Sequence, residues 1–240
     1  MHARTLGPVD RFGATKGSAR PGGGSVAVVQ SAVVIPVKAF GSAKARLSPA
    51  VASTEREALA RSMAEAVVRA AGLLPVVVVC DDPDVRAWAR SLGAEVRWTP
   101  GLGLDGAVEA GVEWVSTEGF DRVIVAHADL PLATDLQPVT GRGTGGVVLV
   151  PDRRHDGTNV ISLPTGCGFR FAYGPGSFHR HRAEAERLGL DVTVVDDASL
   201  AWDVDIPEDL VLPGGQAVTA AMAGRAGLTG RLHHPGPDQS

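Results

Sequence analysis

Lys38, Lys44 and Arg46 crowd into the Gly/Ser-containing stretch that directly follows the β-branched run Val33-Val-Ile-Pro36. That run is too short for a helix and reads as a buried strand. In an open α/β sheet, ligands bind beyond the carboxyl ends of strands, so a basic loop at this point is where a polyphosphate would lie. Far downstream, Asp129 and the pair Asp203 and Asp205 occupy strand-end turns, each followed closely by proline (Asp129-Leu-Pro131 and Asp205-Ile-Pro207). Oxygen donors of this kind suit magnesium, which takes one or two carboxylates and completes its shell with phosphates and water. Loop and carboxylates together describe a magnesium nucleotide site. Singly, each residue has a plainer use, since loop lysines keep a protein soluble and aspartates make turns.

Ser177 closes a glycine loop, Tyr173-Gly-Pro-Gly-Ser177, just before a helical stretch. Its hydroxyl and the helix amides suit a phosphate, with helix capping as the simpler role. A serine nucleophile is a poor fit because Gly-x-Ser-x-Gly is absent. No Walker A loop occurs; Gly13 to Ser18 lacks the spacing and follows no strand. His179 and His181 face different sides of a helix, and no zinc spacing appears.

The elements that must position these groups alternate regularly. Thr54 with Glu57 reads as a capping box opening a helix that Gly72 ends. Pro75 to Cys80 is a valine run covered on both faces, and a second helix begins after Asp82-Pro83. Glu95 to Trp98 is a short strand. Gly103 and Asp105 belong to a second glycine-rich loop, with Asp105 capping the next helix. Val123 to Ala126, Gly146 to Pro151, Val160 to Leu163 and Val192 to Val195 are further strands. Asp156-Gly-Thr-Asn159 is a turn, and Pro207 opens a terminal helix. The pattern predicts an α/β, Rossmann-like domain with a mainly parallel, right-handed wound sheet.

The chain has 240 residues, 44% hydrophobic and 21% charged, enough for one sizeable core. A net charge of −4 argues against nucleic acid as partner, since no large basic face can compensate its backbone. Cys80 and Cys167 form neither a disulfide framework nor a metal spacing, so reduced thiols in a cytoplasmic protein are expected. Val26 to Val37, interrupted by Gln30 and Ser31, is neither a signal peptide nor a membrane span. Residues 1–30 read as a disordered leader, 31–212 as the domain and 213–240 as a disordered tail. A homodimer is the default for a soluble enzyme.

Ile35-Pro-Val-Lys38, Ala43-Lys-Ala-Arg-Leu47, Ala128-Asp-Leu-Pro131, Asp156-Gly-Thr-Asn159, Tyr173-Gly-x-x-Ser177-x-x-x-His181 and Asp203-Val-Asp-Ile-Pro-Glu-Asp-Leu210, in this order, resemble the 2-phospho-L-lactate guanylyltransferase family of deazaflavin coenzyme (F-420) biosynthesis. The resemblance implies a nucleotidyltransferase fold and transfer of GMP from GTP to phosphoenolpyruvate or, second, 2-phospho-L-lactate. It places Pro36, Lys38, Lys44, Gly103 and Asp105 at the nucleotide. Lys38, Lys44 and Arg46 would serve the reacting phosphates, and Asp129, Asp203 and Asp205 magnesium. Thr158, Gly174 and Ser177 would hold the phospho-acid. Asp105 departs from the asparagine of many relatives. A phosphate monoester is largely ionised at pH 7, its second pKa being about 6, so it can attack the α-phosphorus without a general base. Two alternatives stand beside this reading. One is a molybdenum-cofactor or sugar-phosphate nucleotidyltransferase of the same fold, which only the motifs at 156–181 separate. The other is a non-catalytic nucleotide-binding module, against which the three aspartates count.

Overall fold

The computed structural model describes residues 29–141 and 145–229. Seven strands form one sheet: β1 (Ser31–Pro36), β2 (Val76–Cys80), β3 (Glu95–Trp98), β4 (Arg122–Ala126), β5 (Gly146–Pro151), β6 (Thr158–Pro164) and β7 (Asp191–Val194), in the order β3-β2-β1-β4-β6-β5-β7. Only β6 is reversed: it runs antiparallel to β4 and β5, and the other pairings are parallel. The expected mainly parallel mixed sheet is therefore present. The helices are α1 (Ser53–Ala70), α2 (Pro83–Ser91), α3 (Gly103–Thr117), α4 (Ser177–Arg187) and α5 (Val218–Thr229).

Alternation along the central strands splits the core into two layers. Val33, Ile35, Val78 and Ile124 meet Ala60, Ala64 and Val67 of α1 and Val85 and Trp88 of α2. Val34, Val77, Val79, Val123 and Val125 point the other way, toward Val108, Trp114 and Val115 of α3 and Phe178 and Ala185 of α4. Both faces are covered, which is why these strands are apolar throughout. α3 comes close enough that glycine is needed at 111: a Cβ there would lie 2.7 Å from Val79 Cγ1 and 2.8 Å from Val34 Cγ1.

Helix ends follow local chemistry in some places and not in others. α2 starts as read, with Pro83 in its first turn and Asp82 Oδ1 accepting from the Asp84 and Val85 amides. α1 starts at Ser53, so Thr54 is already inside it; Glu55 accepts from the Ala52 N–H, and alanine has no side chain to complete the box. Asp105 lies in the first turn of α3 rather than at its cap. Pro207 opens only a 3-10 turn, Pro207–Leu210, because Val211 returns to extended backbone.

The unstructured tail expected from 213 gives way at Val218 to α5, and the expected leader lies outside the described residues except for Val29 and Gln30. Val218 is fully buried with Leu47, Leu59, Met63 and Val204. With the partly buried Met222, it docks this helix where composition suggested none. Cys80 is buried and Cys167 half-buried, and neither forms a disulfide.

Candidate active site

β1 and β4 are parallel neighbours, so the segments leaving Pro36 and Ala126 emerge side by side. Because β6 is antiparallel, it begins where β4 ends: Ala126 pairs with Val160, and the His127 N–H donates to Asn159 O at 3.0 Å. The β5–β6 turn arrives at the same edge, with Pro151 opposite Thr158. A cleft of about 740 Å³ opens there, lined by Pro36, Lys38, Lys44, Arg46, Asp129, Thr158, Gly174, Ser177, Asp203 and Asp205. Gly103 lines an adjoining recess of about 80 Å³ with Pro36 and Lys38. Asp105 lines neither; its Oδ1 accepts from the Tyr173 N–H at 2.8 Å and ties α3 to the third glycine loop.

Lys44 is the electrostatic centre. Its backbone is left-handed (φ 56°), a conformation that costs a non-glycine residue of order 1 kcal/mol. Its Nζ lies 2.6 Å from Asp129 Oδ2 and 3.1 Å from Asp205 Oδ1, bridging two carboxylates from distant parts of the chain. Burial works against the ammonium, but Asp129 and Asp205 outweigh it and hold the Lys44 pKa above its ordinary value. Burial likewise opposes ionisation of Asp129, whose pKa Lys44 and His127 nevertheless hold below the usual range. Asp203 has only Arg153 at 3.8 Å: burial first, then Asp129 and Asp205, push its pKa up to about 6.

Asp129 Oδ1 and Asp203 Oδ1 are buried and accept no hydrogen bond among the described residues, where Arg153 Nη1 lies 3.8 Å from the latter. A buried carboxylate oxygen left in this way is costly. A hard divalent cation would satisfy both, and these residues with Asp205 fit magnesium. Among the described residues, no ready-made cage of three or more His, Cys, Asp or Glu exists. Such a cation would therefore need the oxygens of a phosphate ligand to complete its shell.

The aspartates that peg two of the site's turns escaped sequence reasoning. Fully buried Asp209 accepts from the Asp205 and Ile206 amides at 2.8 and 3.0 Å and is paired with Arg153 and Arg154, which fixes the 203–209 segment. Asp152 accepts from the Arg154, Asp156 and Gly157 amides and shapes the turn before Thr158. In both, a carboxylate satisfies consecutive backbone donors, an Asx-type signal visible only as an aspartate two to five residues before or after the segment it shapes.

The third glycine loop faces the carboxylates. Gly174 and Gly176 have φ of 100° and 73°, which side chains rarely adopt. The Arg180 guanidinium donates to the carbonyls of Ala172, Tyr173, Gly174 and Pro175, and Asp156 Oδ2 accepts from the Gly176 N–H. Ser177 Oγ accepts from the Thr158 N–H at 3.0 Å, so the two hydroxyl residues share one wall. His127 and Tyr173, with ring centroids 4.8 Å apart and planes tilted by 50°, also line the cleft.

A basic loop and strand-end carboxylates on a mixed, largely parallel sheet are the architecture of nucleotidyltransferases. In solved structures, the chain is similar to a protein of Desulfovibrio desulfuricans assigned to the nucleotide-diphospho-sugar transferases (TM-score 0.59, 16% identity, 87% of this chain and 100% of that one). It is also similar to CMP:2-keto-3-deoxy-manno-octonic acid synthetase in complex with CTP (TM-score 0.52, 15% identity, 83% and 99%). At these identities the likeness shows the fold. The chain belongs to the family described as Guanylyl transferase CofC like, whose model matches residues 31–216. It is 33% identical to the phosphoenolpyruvate guanylyltransferase of Sphaerobacter thermophilus over 81% of this chain and 97% of that protein. It is 38% identical to that of Rubrobacter xylanophilus (74% and 90%), and 35% identical to the 2-phospho-L-lactate guanylyltransferase of Methanothermobacter thermautotrophicus (76% and 83%). The chain is thus a nucleotidyltransferase enzyme, and the alternative of a non-catalytic module falls away.

Proposed function

We propose that the protein transfers GMP from GTP to phosphoenolpyruvate, with 2-phospho-L-lactate as the second acceptor, and releases pyrophosphate in deazaflavin coenzyme biosynthesis. The observation that carries this reading is the convergence in one cleft of Lys44, Asp129 and Asp205 with the Thr158, Gly174 and Ser177 wall. The names of the relatives support the acceptor order.

Lys44 and Lys38, with Arg46 at the rim, would hold the triphosphate in the cleft, and Gly103 would border the base. Asp129, Asp203 and Asp205 would hold magnesium, whose chemistry is to neutralise phosphate charge. Hydroxyls and loop amides opposite would hold the acceptor phosphate in line with the α-phosphorus, which it reaches already ionised. Fixed cations at the site of developing charge lower the barrier without moving a proton. Asp105, committed to the Tyr173 amide, would act on the guanine subsite through the loop. Residues 31–212 would form the catalytic domain, in a cytoplasmic homodimer. Among the described residues, no helix is long and apolar enough to cross a membrane.

The test is to incubate purified protein with magnesium, each nucleoside triphosphate and each of phosphoenolpyruvate, 2-phospho-L-lactate, 3-phosphoglycerate and a sugar phosphate, following pyrophosphate. A parallel assay coupled to the next deazaflavin-pathway enzyme guards against an unstable product. Turnover with GTP and phosphoenolpyruvate is expected; activity only with a sugar phosphate or a molybdopterin overturns the reading.

A further inference from the structure

His181 lies on α4, fully buried, and no aspartate or glutamate among the described residues pairs with it. The Ala172 N–H donates to its Nε2 at 3.0 Å. A backbone amide can only donate, so Nε2 carries no proton, and a neutral imidazole must then carry it on Nδ1. Nδ1 is 3.0 Å from Thr158 Oγ1. The imidazole therefore donates to the hydroxyl, and the Thr158 proton must find its acceptor elsewhere, on a residue that lines the cleft. Ser177 is arranged the same way by a different donor: its Oγ accepts from the Thr158 N–H, which leaves its own proton to give. Among the described residues, neither hydroxyl donates a hydrogen bond to another protein group of this wall.

We propose that His181 is a positioning residue of the acceptor site: its Nδ1–H fixes the Thr158 hydroxyl as a hydrogen-bond donor toward the cleft, so that Thr158 and Ser177 together present two O–H donors to one phosphate oxyanion. This rests on the reading of that wall as the acceptor subsite. Burial, with His127 and Arg180 beside it, pushes the His181 pKa down to about 4, so the ring stays neutral and acts by direction rather than by charge. A protonated ring would have to break the Ala172 bond that fixes the loop backbone. The arrangement selects acceptor oxygens that only accept, such as a phosphate dianion. It disfavours groups that can only donate, such as an ammonium, which would bring a proton against a proton.

Packing against Phe169, Phe171 and Tyr173 is the competing role for this ring, and two variants separate them. In His181→Asn the amide nitrogen reaches the Nδ1 position and can still donate to Thr158. In His181→Gln the amide reaches the Nε2 position, satisfying Ala172 but not Thr158. The expected result is an acceptor KM raised about ten-fold or more in His181→Gln, since hydrogen bonds to charged groups are among the stronger ones. KM for GTP should stay within about two-fold, and His181→Asn should keep most acceptor affinity. In a Thr158→Val background, His181→Gln should add little further loss. Nitrogen-15 shifts of the wild-type imidazole should show the Nδ1–H tautomer. An Nε2–H tautomer, or equal acceptor KM in the two His181 variants of an active enzyme, overturns the proposal alone. A wild-type protein that turns over no phospho-acid overturns the proposed function instead. Binding of inorganic phosphate then decides for His181 if only the Gln variant weakens it, and against it if the two variants are alike.

Discussion

Lys44 and Asp203 sit in one cleft under opposite constraints, and each makes a distinct measurable demand. Lys44 holds two carboxylates together and is the best-placed cation for the triphosphate, so Lys44→Ala should lower kcat about one hundred-fold or more, as loss of one charge-stabilising donor does elsewhere. Unchanged kcat/KM for GTP would reduce it to a structural counterion. Asp203 carries a pKa raised to about 6 by burial and by its neighbouring aspartates, against about 3.9 for an unfolded aspartate. The folded state binds that proton more tightly, so ionising Asp203 costs nothing below pH 4. The cost grows between pH 4 and 6, and above pH 6 it levels off at about 2–3 kcal/mol. In EDTA, Asp203→Asn should therefore raise Tm at pH 8 and leave it nearly unchanged at pH 4. An equal shift at both would assign the effect to packing.

At the scale of elements, the turns decide where the functional side chains point. Asp209 is the peg of the 203–209 segment, and Asp209→Ala would leave Arg153 without its carboxylate and the Asp205 and Ile206 amides unpaired. Losing one partner of a buried ion pair costs about 3–5 kcal/mol, so both Tm and magnesium-dependent turnover should fall. A normal Tm with normal turnover would show that Asp205 is placed without this peg. Nothing local announces the role, because Pro207-Glu-Asp-Leu210 reads equally as the first turn of a helix. The valine strands and the Asp82-Pro83 start of α2 were legible because short-range rules determine them. Asp105 misled as a cap because its partner is a backbone amide in a loop far along the chain, and Thr158 read as a turn because only pairing with β5 makes it a strand residue. The candidate phosphate and carboxylate residues were legible as motifs. Their meeting in one site was legible too, but the addition of the Thr158 wall to it was not, since that depends on the reversal of β6.

For the whole molecule, the least expected feature is how the end of the described chain returns to the first loop. α5 brings Val218 into the cluster that holds Leu47, Leu59 and Met63, and Leu47 ends the 3-10 turn that begins just after Lys44. The same cluster contains Val204, which lies between Asp203 and Asp205. One small core thus supports both the cation and two of the carboxylates from behind. Burying a valine contributes about 1.5–3 kcal/mol, and in a domain of this size each kcal/mol moves Tm by about 2–4 °C. Removing residues 213–240 should accordingly lower Tm by about 5 °C or more and reduce kcat, because Lys44, Asp203 and Asp205 lose their common backing. The acceptor wall of Thr158 and Ser177 rests on β6 and α4 instead, so KM for the phospho-acid should move much less than kcat. Calorimetry on the truncated and full-length chains, with steady-state kinetics on both, checks this. Unchanged Tm and kcat would mean that Leu47 and Val204 keep their places without α5.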